Sequence, residues 1–343
     1  MARIYKREGK KGTIYYVDYV ENGKRARKRI GRSKELAELT LKDLEVRIEK
    51  EQAGFPQIKP ISVEELIEKF FIHTAGHLKE KSTERYREIV SHFNNFCKTR
   101  KIVNFSDVNN SELESYKQQR YEKVKPITVN HELTILHTFF EYAKKFGYTR
   151  KNPVEGITRY KVNKKIVRFF SEEEIKLILE NCTERLYPIF LTLANTGMRK
   201  GELLNLEWPD IDFEARKIRI RIKDFWTPKT GEERDVPLNN QLCNFLKKLY
   251  ENKKEGRWVF STTGGQQPRH LREDLIRLCK RLNIEKANLH TFRHTFASHL
   301  VMKGVDLPTV QKLLGHRDIS TTMIYAHLAP NHLAGAVKKL SFS

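Results

Sequence analysis

Four ionisable side chains stand out in one short stretch near the end of the chain, residues 289–327. His290 and Arg293 come first, His316 follows a Leu-Gly pair, and Tyr325 stands nine residues later. Apolar residues recur between them at helical spacing, which indicates helices that pack on a core. The stretch therefore restricts this part of the chain to packed helices that present a polar site on one side.

The chain carries a large excess of positive charge. Its 343 residues contain 65 Lys and Arg against 43 Asp and Glu, a formal net charge of +22. Such an excess is typical of proteins that bind polyanions, because each neutralised phosphate releases condensed counterions. Nucleic acid is therefore the predicted partner, and residues 289–327 are interpreted as a phosphate-handling site. A basic surface that only confers solubility is the alternative that charge leaves open.

The sequence argues against membrane and metal-binding classes. No run approaches the roughly 18 consecutive apolar residues that span a bilayer, and the first residues lack the apolar core of a signal peptide. We therefore expect a cytoplasmic, nucleoid-associated protein with no membrane partner. The cysteines are scattered, without a C-x-x-C pair, so we expect free thiols and no metal site; they are Cys97, Cys182, Cys243 and Cys279.

Residues 1–55 are predicted to form a small α+β module. Residues 12–20 alternate β-branched and aromatic side chains, an Asn-Gly turn follows, and a basic strand comes next. From Ser33 the pattern becomes helical, and its apolar positions are Leu36, Leu39, Leu44 and Ile48.

The second strand of this module has seven basic residues and no acid between Lys24 and Lys34. A solvated strand is rarely so one-sided, so the pattern favours a sheet that reads DNA. The predicted DNA-binding residues are Lys24, Arg25, Arg27, Lys28 and Arg29.

After a linker with Gly and Pro, residues 61–155 have the pattern of four amphipathic helices. They are predicted at 63–72, at 82–97, from Ser111 onward and at 128–146. Ser111 and Glu114 have the spacing of a capping box. A bundle that lies on a duplex and a purely structural bundle both fit this pattern.

Residues 156–168 form a second linker with five cations and no acid. We interpret it as a strap across a phosphate backbone that uses Lys161, Lys164, Lys165 and Arg168. Residues 166–343 then have the pattern of one mostly helical domain with a small antiparallel sheet, at 217–222 and 235–238. The predicted fold class is mainly α and multidomain: the α+β module, the helical bundle and this larger domain.

Two further cations in residues 166–343 are placed to meet a phosphate. Arg199 stands at a predicted helix start, where free N–H groups favour an anion, and Glu202 shares its helical face. Lys229 lies in a predicted β-turn, from which a lysine can reach into a groove. The ordinary alternatives are a surface Arg–Glu pair and a solvated turn lysine.

The stretch at 289–327 also has ordinary alternatives. His290 and Arg293 are three residues apart and so project from one helical face, and a glycine is expected to end the helix before His316. We expect His294 to be structural. For Tyr325, a buried phenol bonded to the backbone is the alternative to a functional hydroxyl.

Taken together, residues from about 168 to 327 resemble the catalytic domain of the tyrosine recombinase (phage integrase) family. The resemblance rests on Thr-Gly-Met-Arg199-Lys-Gly-Glu202-Leu, on Lys229-Thr-Gly-Glu-Glu-Arg-Asp-Val-Pro-Leu, on His290-Thr-Phe-Arg293-His-Thr-Phe-Ala, on Leu-Gly-His316, and on Tyr325. Residues 61–155 resemble the family's core-binding (SAM-like) domain, and residues 1–55 its arm-binding domain. The expected domains are thus 1–55, 61–155 and 166–343.

The resemblance implies a catalytic set supported by Glu202: Arg199, Lys229, His290, Arg293, His316 and the nucleophile Tyr325. Tyr325 would form a 3′-phosphotyrosine and free a 5′-hydroxyl, and Lys229 is the candidate general acid at the 5′ oxygen. Either the cations favour the phenolate or His290 takes the phenol proton. The covalent ester conserves the bond energy, so no nucleotide, metal or other cofactor is expected.

The implied partner is double-stranded DNA with specific recombination sites. Four protomers on two duplexes would exchange strands through a Holliday junction, a monomer or dimer is expected off DNA, and residues 331–343 are expected to dock on a neighbouring protomer. DNA-bending or directionality factors are the expected accessory partners. The amino-terminal module favours the integrase of a mobile element over a Xer-like dimer resolvase or a DNA invertase. A DNA-binding relative without activity is the minor alternative.

Overall fold

A computed structural model describes residues 2–9, 12–21, 24–52, 58–78, 80–162, 167–252 and 256–330. The described residues are mainly helical and include two three-stranded antiparallel sheets, which confirms the predicted fold class. The chain divides into two units, residues 1–163 and 164–343. Among the helices described, none is both long and apolar enough to cross a membrane.

The first sheet lies at the start of the chain and is covered by one helix. Its strands are β1 (Arg3–Gly9), β2 (Gly12–Glu21) and β3 (Lys24–Gly31), in the order β1-β2-β3, and α1 (Lys34–Gln52) follows. Helix α1 packs on all three strands. Val17 of β2 and Ala37 of α1 are fully buried, so the sheet and the helix share a small core.

Helix α1 buries a different face from the one predicted. Leu36 and Leu39 are 51% and 62% exposed, whereas Ala37 is fully buried. A small side chain at the contact lets the helix approach the sheet closely, and the leucines on either side are then turned outward. The predicted apolar position Ile48 has a side chain outside the described part of the chain.

The second group of elements is a helical bundle. It consists of α2 (Val63–Thr74), α3 (Glu80–Thr99), α4 (Asn110–Tyr121) and α5 (Pro126–Lys145). Aromatic rings fill its core, and Phe139 of α5 contacts Phe70, Phe93 and Phe105 edge to face. The bundle forms because apolar residues repeat at helical spacing on each helix and find a common interior.

The predicted capping box of α4 is wrong. Asn109 is the N-cap residue, and its side-chain oxygen accepts hydrogen bonds from the backbone N–H groups of Ser111 and Glu112. Asparagine is as good a cap as serine. The helix therefore begins before Ser111, and Ser111 lies within its first turn.

The unit 164–343 contains a second set of α-helices and strands. They are α6 (Glu172–Asn181), α7 (Tyr187–Thr196), α8 (Lys200–Leu204), β4 (Ile211–Asp212), β5 (Lys217–Ile220), β6 (Arg234–Pro237), α9 (Asn240–Glu251), α10 (Leu271–Arg281), α11 (Leu289–Met302) and α12 (Leu307–Leu314). Two short 3₁₀ helices follow, Ile319–Thr321 and Met323–Leu328. Helix α11 packs against α7, α10, α12 and the second 3₁₀ helix. It is therefore the element around which the polar residues of this unit can meet.

Candidate active site

The turn between α7 and α8 places Arg199. Gly197 ends α7 in the left-handed conformation at φ 60°, and Arg199 is the N-cap residue of α8. A Cβ atom at Gly197 would lie 2.5 Å from the ring of Phe296. Glycine is therefore required at this turn both for its backbone angle and for its lack of a side chain.

Arg199 is held by Glu202 and by a second turn of the chain. Its Nη1 donates to Glu202 Oε1 at 2.9 Å, and its backbone N–H donates to Glu202 Oε2 at 2.8 Å. Its Nη2 also donates to the carbonyl oxygen of Gly315 at 3.3 Å. The predicted Arg199–Glu202 pair is present, but Glu202 is 2% exposed, so this is a buried pair and not the surface pair considered as the alternative.

Glu202 has a second partner that the sequence analysis missed. Both terminal nitrogens of Arg234, at the start of β6, donate to the Glu202 carboxylate, at 3.0 and 2.7 Å. Arg234 Nε donates to the carbonyl oxygen of Leu313 at 3.2 Å. Burial raises the pKa of Glu202, but Arg234 and Arg199 outweigh it and hold that pKa below its usual value. Glu202 is therefore an anion between two guanidinium groups.

Arg293 of α11 is almost entirely buried, at 1% exposure. Its Nη1 donates to the carbonyl oxygen of Gly197 at 2.8 Å and its Nη2 to that of Leu314 at 2.6 Å. Burial, and then the neighbouring Arg199, lowers the pKa of Arg293 to about 9, which still leaves it charged at neutral pH. Arg293 thus joins the turn after α7 to the end of α12.

The end of α12 places His316. Gly315 follows α12 in the left-handed conformation at φ 64°, and a Cβ there would lie 2.8 Å from Arg234 Cδ. The Nδ1 atom of His316 is 2.9 Å from the Thr322 hydroxyl oxygen, and Thr322 is fully buried. Burial, followed by nearby cations of which Arg293 is the strongest, lowers the pKa of His316 to about 4. His316 is therefore neutral at pH 7.

Lys229 and His290 stand at the open side of this cluster. Lys229 is exposed, in a turn between β5 and β6 that is closed by a hydrogen bond from Gly231 N–H to the Pro228 carbonyl. The pKa of His290 is lowered by desolvation first, and then by Arg293, Arg199 and Lys229. The repulsion shows that Lys229 lies within electrostatic reach of the histidine.

Tyr325 lies in the 3₁₀ helix Met323–Leu328, where the sequence predicted an ordinary helical run. Its backbone N–H bonds the Thr322 carbonyl at 3.0 Å, the i to i+3 pattern of a 3₁₀ turn. The side chain is 1% exposed, and burial raises its pKa to about 12, although Arg293 opposes this rise.

The Tyr325 hydroxyl is 2.7 Å from Nδ1 of His294. His294 was expected to be structural, yet it is the side chain in contact with the phenol oxygen. Burial, then His290 and Arg293, lowers the pKa of His294 to about 4. The His290 and His294 rings meet edge to face, with centroids 4.7 Å apart. The alternative of a phenol bonded to the backbone does not hold for the described residues.

The structure thus brings the six predicted catalytic residues to one place, and two further side chains join them. Arg199, Arg293, His290, His316, Lys229 and Tyr325 are linked by hydrogen bonds or mutual electrostatic effects. Arg234 and His294 are the additions. The signal for His294 was its position directly after Arg293. Arg234 lies in the motif that begins at Lys229, but the motif does not show its partner Glu202, which is 32 residues away.

The predicted DNA-binding strand β3 is partly neutralised by a residue of β2. Arg27 pairs with Asp18 in the strand register, and Asp18 Oδ2 accepts from Arg25 Nη2 at 2.5 Å. Arg3 and Arg27 lie 3.7 Å from the same carboxylate. Asp18 is 4% exposed beneath these arginines, and the hydrogen bond from Arg25 lowers its pKa. The acid was missed because it lies on the neighbouring strand.

The predicted strap is only partly described. Lys161 is exposed, while Lys164 and Lys165 lie outside the described residues. Arg168 is not a free cation, because its Nη2 lies 2.5 Å from Glu174 Oε1. The pairing weakens the prediction that Arg168 contacts a phosphate.

One surface group of the described residues could offer three metal-ligand atoms close together: His137, Glu141 and Glu155. Glu141 accepts a hydrogen bond from Asn152 at 2.8 Å, and Lys144 lies 3.8 and 3.6 Å from the carboxylates of Glu141 and Glu155. The lysine between the two carboxylates already offsets part of their negative charge. This arrangement is a surface ion-pair network.

Comparison with known proteins supports one family. Residues 168–332 match the Phage integrase family, and residues 62–161 match the phage integrase N-terminal domain. A protein named Tyrosine recombinase XerC-like, from Caldanaerobacter subterraneus subsp. tengcongensis, is 32% identical over 296 residues, covering 73% of this chain and 75% of that protein.

Two solved structures share the fold. The Tn1549 transposon integrase in complex with a circular intermediate DNA has a TM-score of 0.69 at 19% identity, covering 82% of this chain and 100% of that one. A λ integrase tetramer bound to a Holliday junction has a TM-score of 0.64 at 16% identity, covering 92% and 96%. The sequence matches and the shared fold agree with the residues found around α11: this chain belongs to the tyrosine recombinase (phage integrase) family and is a DNA strand-transferase.

Proposed function

We propose that the cluster around α11 cleaves and rejoins a DNA strand, with Tyr325 as the nucleophile. The observation that carries the proposal is the convergence of the buried Arg293, the partly buried Arg199, two histidines and a buried phenol in one place. A phosphodiester under attack spreads negative charge over its non-bridging oxygens, and fixed guanidinium groups stabilise that charge.

The roles follow from position and charge. Arg199 and Arg293 are pre-positioned by backbone carbonyls and Glu202, so little reorganisation is needed when a phosphate arrives. His290 and His316 add donors to the same oxygens. Lys229, on its exposed turn, donates a proton to the departing 5′ oxygen. Tyr325 forms the 3′-phosphotyrosine, and the same steps in reverse rejoin a strand.

A nicked duplex tests this chemistry. The cognate duplex is first recovered by selecting bound DNA from a random library, and the cleaved phosphate is mapped. A nick placed next to that phosphate lets the 5′-hydroxyl fragment diffuse away and traps the covalent adduct. Wild type should form the adduct, and Tyr325→Phe should bind the duplex without forming it. A wild-type protein that binds its site and yields no adduct refutes the proposed activity and supports a DNA-binding relative without chemistry.

We further propose that the substrate is double-stranded DNA with specific sites, and that four protomers on two duplexes exchange strands through a Holliday junction. The shared fold with the λ integrase tetramer supports this assembly, and the charge of +22 supports the DNA partner. The protein would then act at the nucleoid, with accessory DNA-bending or directionality factors. Native mass measurement of the protein with and without two copies of the selected duplex tests the stoichiometry.

Within the family we propose the integrase of a mobile element. The support is the sheet-and-helix module that precedes the bundle, together with the fold shared with a transposon integrase. The name of the relative at 32% identity instead favours a Xer-like resolvase, and a DNA invertase is a further alternative. In this proposal each domain has one role. Domain 1–55 would bind arm sites, domain 61–155 would bind the core site, and domain 166–343 would cleave and rejoin the strand.

Footprinting separates these roles. An integrase should protect distal arm sites as well as the core site, and removal of residues 1–55 should abolish only the distal protection. A resolvase or an invertase should protect the core site alone, with or without those residues. Distal protection that survives the deletion would contradict the arm-binding role of the amino-terminal module.

A further inference from the structure

His294 is the side chain that meets the Tyr325 hydroxyl. Its Nδ1 lies 2.7 Å from the phenol oxygen, while among the described residues no hydrogen bond joins His290 to Tyr325. With the His294 hydrogen on Nε2, Nδ1 carries no proton and the neutral phenol can donate this bond to it. The geometry is that of a base facing the proton it would remove.

Burial and the charges around His294 favour a proton on Tyr325 and none on Nδ1 of His294. The ionisable groups that act on the imidazole are His290 and Arg293, both on α11, and Tyr325 on the following 3₁₀ helix. Burial and the first two lower the pKa of His294 to about 4, while burial raises that of Tyr325 to about 12. The proton therefore stays on the tyrosine as long as the site holds no phosphate.

A DNA phosphate would change this balance. Its negative charge, placed against Arg293, opposes the cationic influence that helps to make His294 a weak base. The same phosphate brings the electrophile to the phenol oxygen. Binding of the substrate and activation of the nucleophile are thereby coupled through one set of charges.

We propose that His294, and not His290, accepts the proton of Tyr325 when the DNA strand is cleaved; the inference rests on the proposed strand-transfer activity. In the step, the Tyr325 O–H bond breaks and its proton moves to Nδ1 of His294. The phenol oxygen bonds to phosphorus, the bond from phosphorus to the 5′ oxygen breaks, and Lys229 protonates that oxygen. On rejoining, the 5′-hydroxyl returns its proton to Lys229 as its oxygen bonds to phosphorus, the bond from phosphorus to the phenol oxygen breaks, and the protonated His294 returns its proton to the departing phenol.

The test replaces the base while preserving the hydrogen bond. In His294→Asn, the amide oxygen can accept from the phenol but cannot take its proton. Adduct formation on the selected, nicked duplex is followed from pH 6 to 9. Wild type should vary little near neutrality, because His294 is already unprotonated there. His294→Asn should be at least ~100-fold slower at pH 7, and its rate should rise about tenfold per pH unit, because Tyr325 must then ionise unaided.

Two histidines of the same helix serve as controls. His290→Asn should be slower through loss of a phosphate donor but should keep the wild-type dependence on pH. His299→Asn, whose ring bonds the Phe170 carbonyl at 2.9 Å, should form the adduct at the wild-type rate. DNA binding and thermal unfolding are measured for each variant, and His294→Gln replaces His294→Asn if the latter does not fold.

Three results would overturn the inference while leaving the strand-transfer activity intact. One is His294→Asn acting within about threefold of wild type at pH 7. Another is a slow His294→Asn enzyme with no dependence on pH, which would indicate a packing role. The last is the steep dependence on pH appearing in His290→Asn instead. Absence of the adduct in wild type would instead refute the proposed function itself.

Discussion

At the scale of single residues, Arg234 is the clearest structural addition to the candidate site. Its guanidinium holds Glu202 on one side and the Leu313 carbonyl on the other, and it is 9% exposed. It stands five residues after Lys229 and lies directly against Gly315, next to His316. One side chain therefore connects the Lys229 turn, the partner of Arg199 and the turn that carries His316.

Arg234→Lys should lower the free energy of unfolding and slow formation of the covalent adduct. A lysine keeps the charge, but it cannot contact both carboxylate oxygens and the Leu313 carbonyl together. We expect the free energy of unfolding to fall by roughly 1–3 kcal/mol, and adduct formation to slow by about tenfold or more through misplaced cations. Denaturant unfolding and the nicked-duplex assay measure the two effects.

Arg219→Lys is the matched control for this substitution. Arg219 lies on the neighbouring strand β5 and pairs with Asp212 at 2.6 Å, but it is 45% exposed. An exposed pair contributes little, so the change in unfolding free energy should stay within about 0.5 kcal/mol. Equal losses of stability and activity in the two variants would show that the buried contacts of Arg234 have no special part in the site.

At the scale of helices and strands, periodicity predicted the type of most elements but not always their faces or caps. The bundle helices and α11 were predictable because apolar residues repeat every three or four positions. The buried face of α1 was not, because the helix buries the small Ala37 and leaves the larger Leu36 half exposed. Asn109 and Ser111 are both suitable N-cap residues for α4, and the sequence alone does not decide at which of them the helix begins.

The register of the first sheet shows which basic residues of β3 lie on the same face. Arg29 pairs with Tyr16, whereas Lys28 pairs with Val17, which is buried on the side of α1. Neighbouring residues of a strand point to opposite faces. Arg29 therefore lies on the face away from the helix, with Arg25, Arg27 and Asp18, and Lys28 lies on the other face.

This placement gives a matched pair of charge deletions on β3. If the open face binds DNA, Arg29→Ala should weaken binding to a duplex that requires residues 1–55 and should reduce the slope of log K against log salt by about 1. Lys28→Ala removes the same charge from the other face and should leave that slope unchanged. Filter binding at several salt concentrations measures both. A loss with Lys28→Ala as large as that with Arg29→Ala would contradict binding through the open face.

At the scale of the whole molecule, the residues of the candidate site could be singled out because their motifs are short, while the side chains that hold them in place could not. Residues 199, 229, 290, 293, 316 and 325 each lie in a recognisable local pattern. Glu202 with Arg234, and Tyr325 with His294, are joined only when distant segments fold together. A sequence pattern shows the spacing of residues along one helix or strand. These two pairs form only where different helices and strands pack together, so no local pattern predicts them.

The last segment of the chain, residues 331–343, lies outside the described residues, and its predicted docking on a neighbouring protomer stays a prediction. Its apolar side chains include Val337 and Leu340, separated by Lys338 and Lys339. If apolar contact drives the docking, Val337→Asp with Leu340→Asp should impair recombination between two sites, as should deletion of the segment. Binding to a single site should stay the same, because the residues around α11 are untouched.

Lys338→Ala with Lys339→Ala should retain recombination, since it removes charge but no apolar surface. Recombination between two plasmid sites measures the effect, and unchanged recombination after the deletion would refute a role for the segment in assembly.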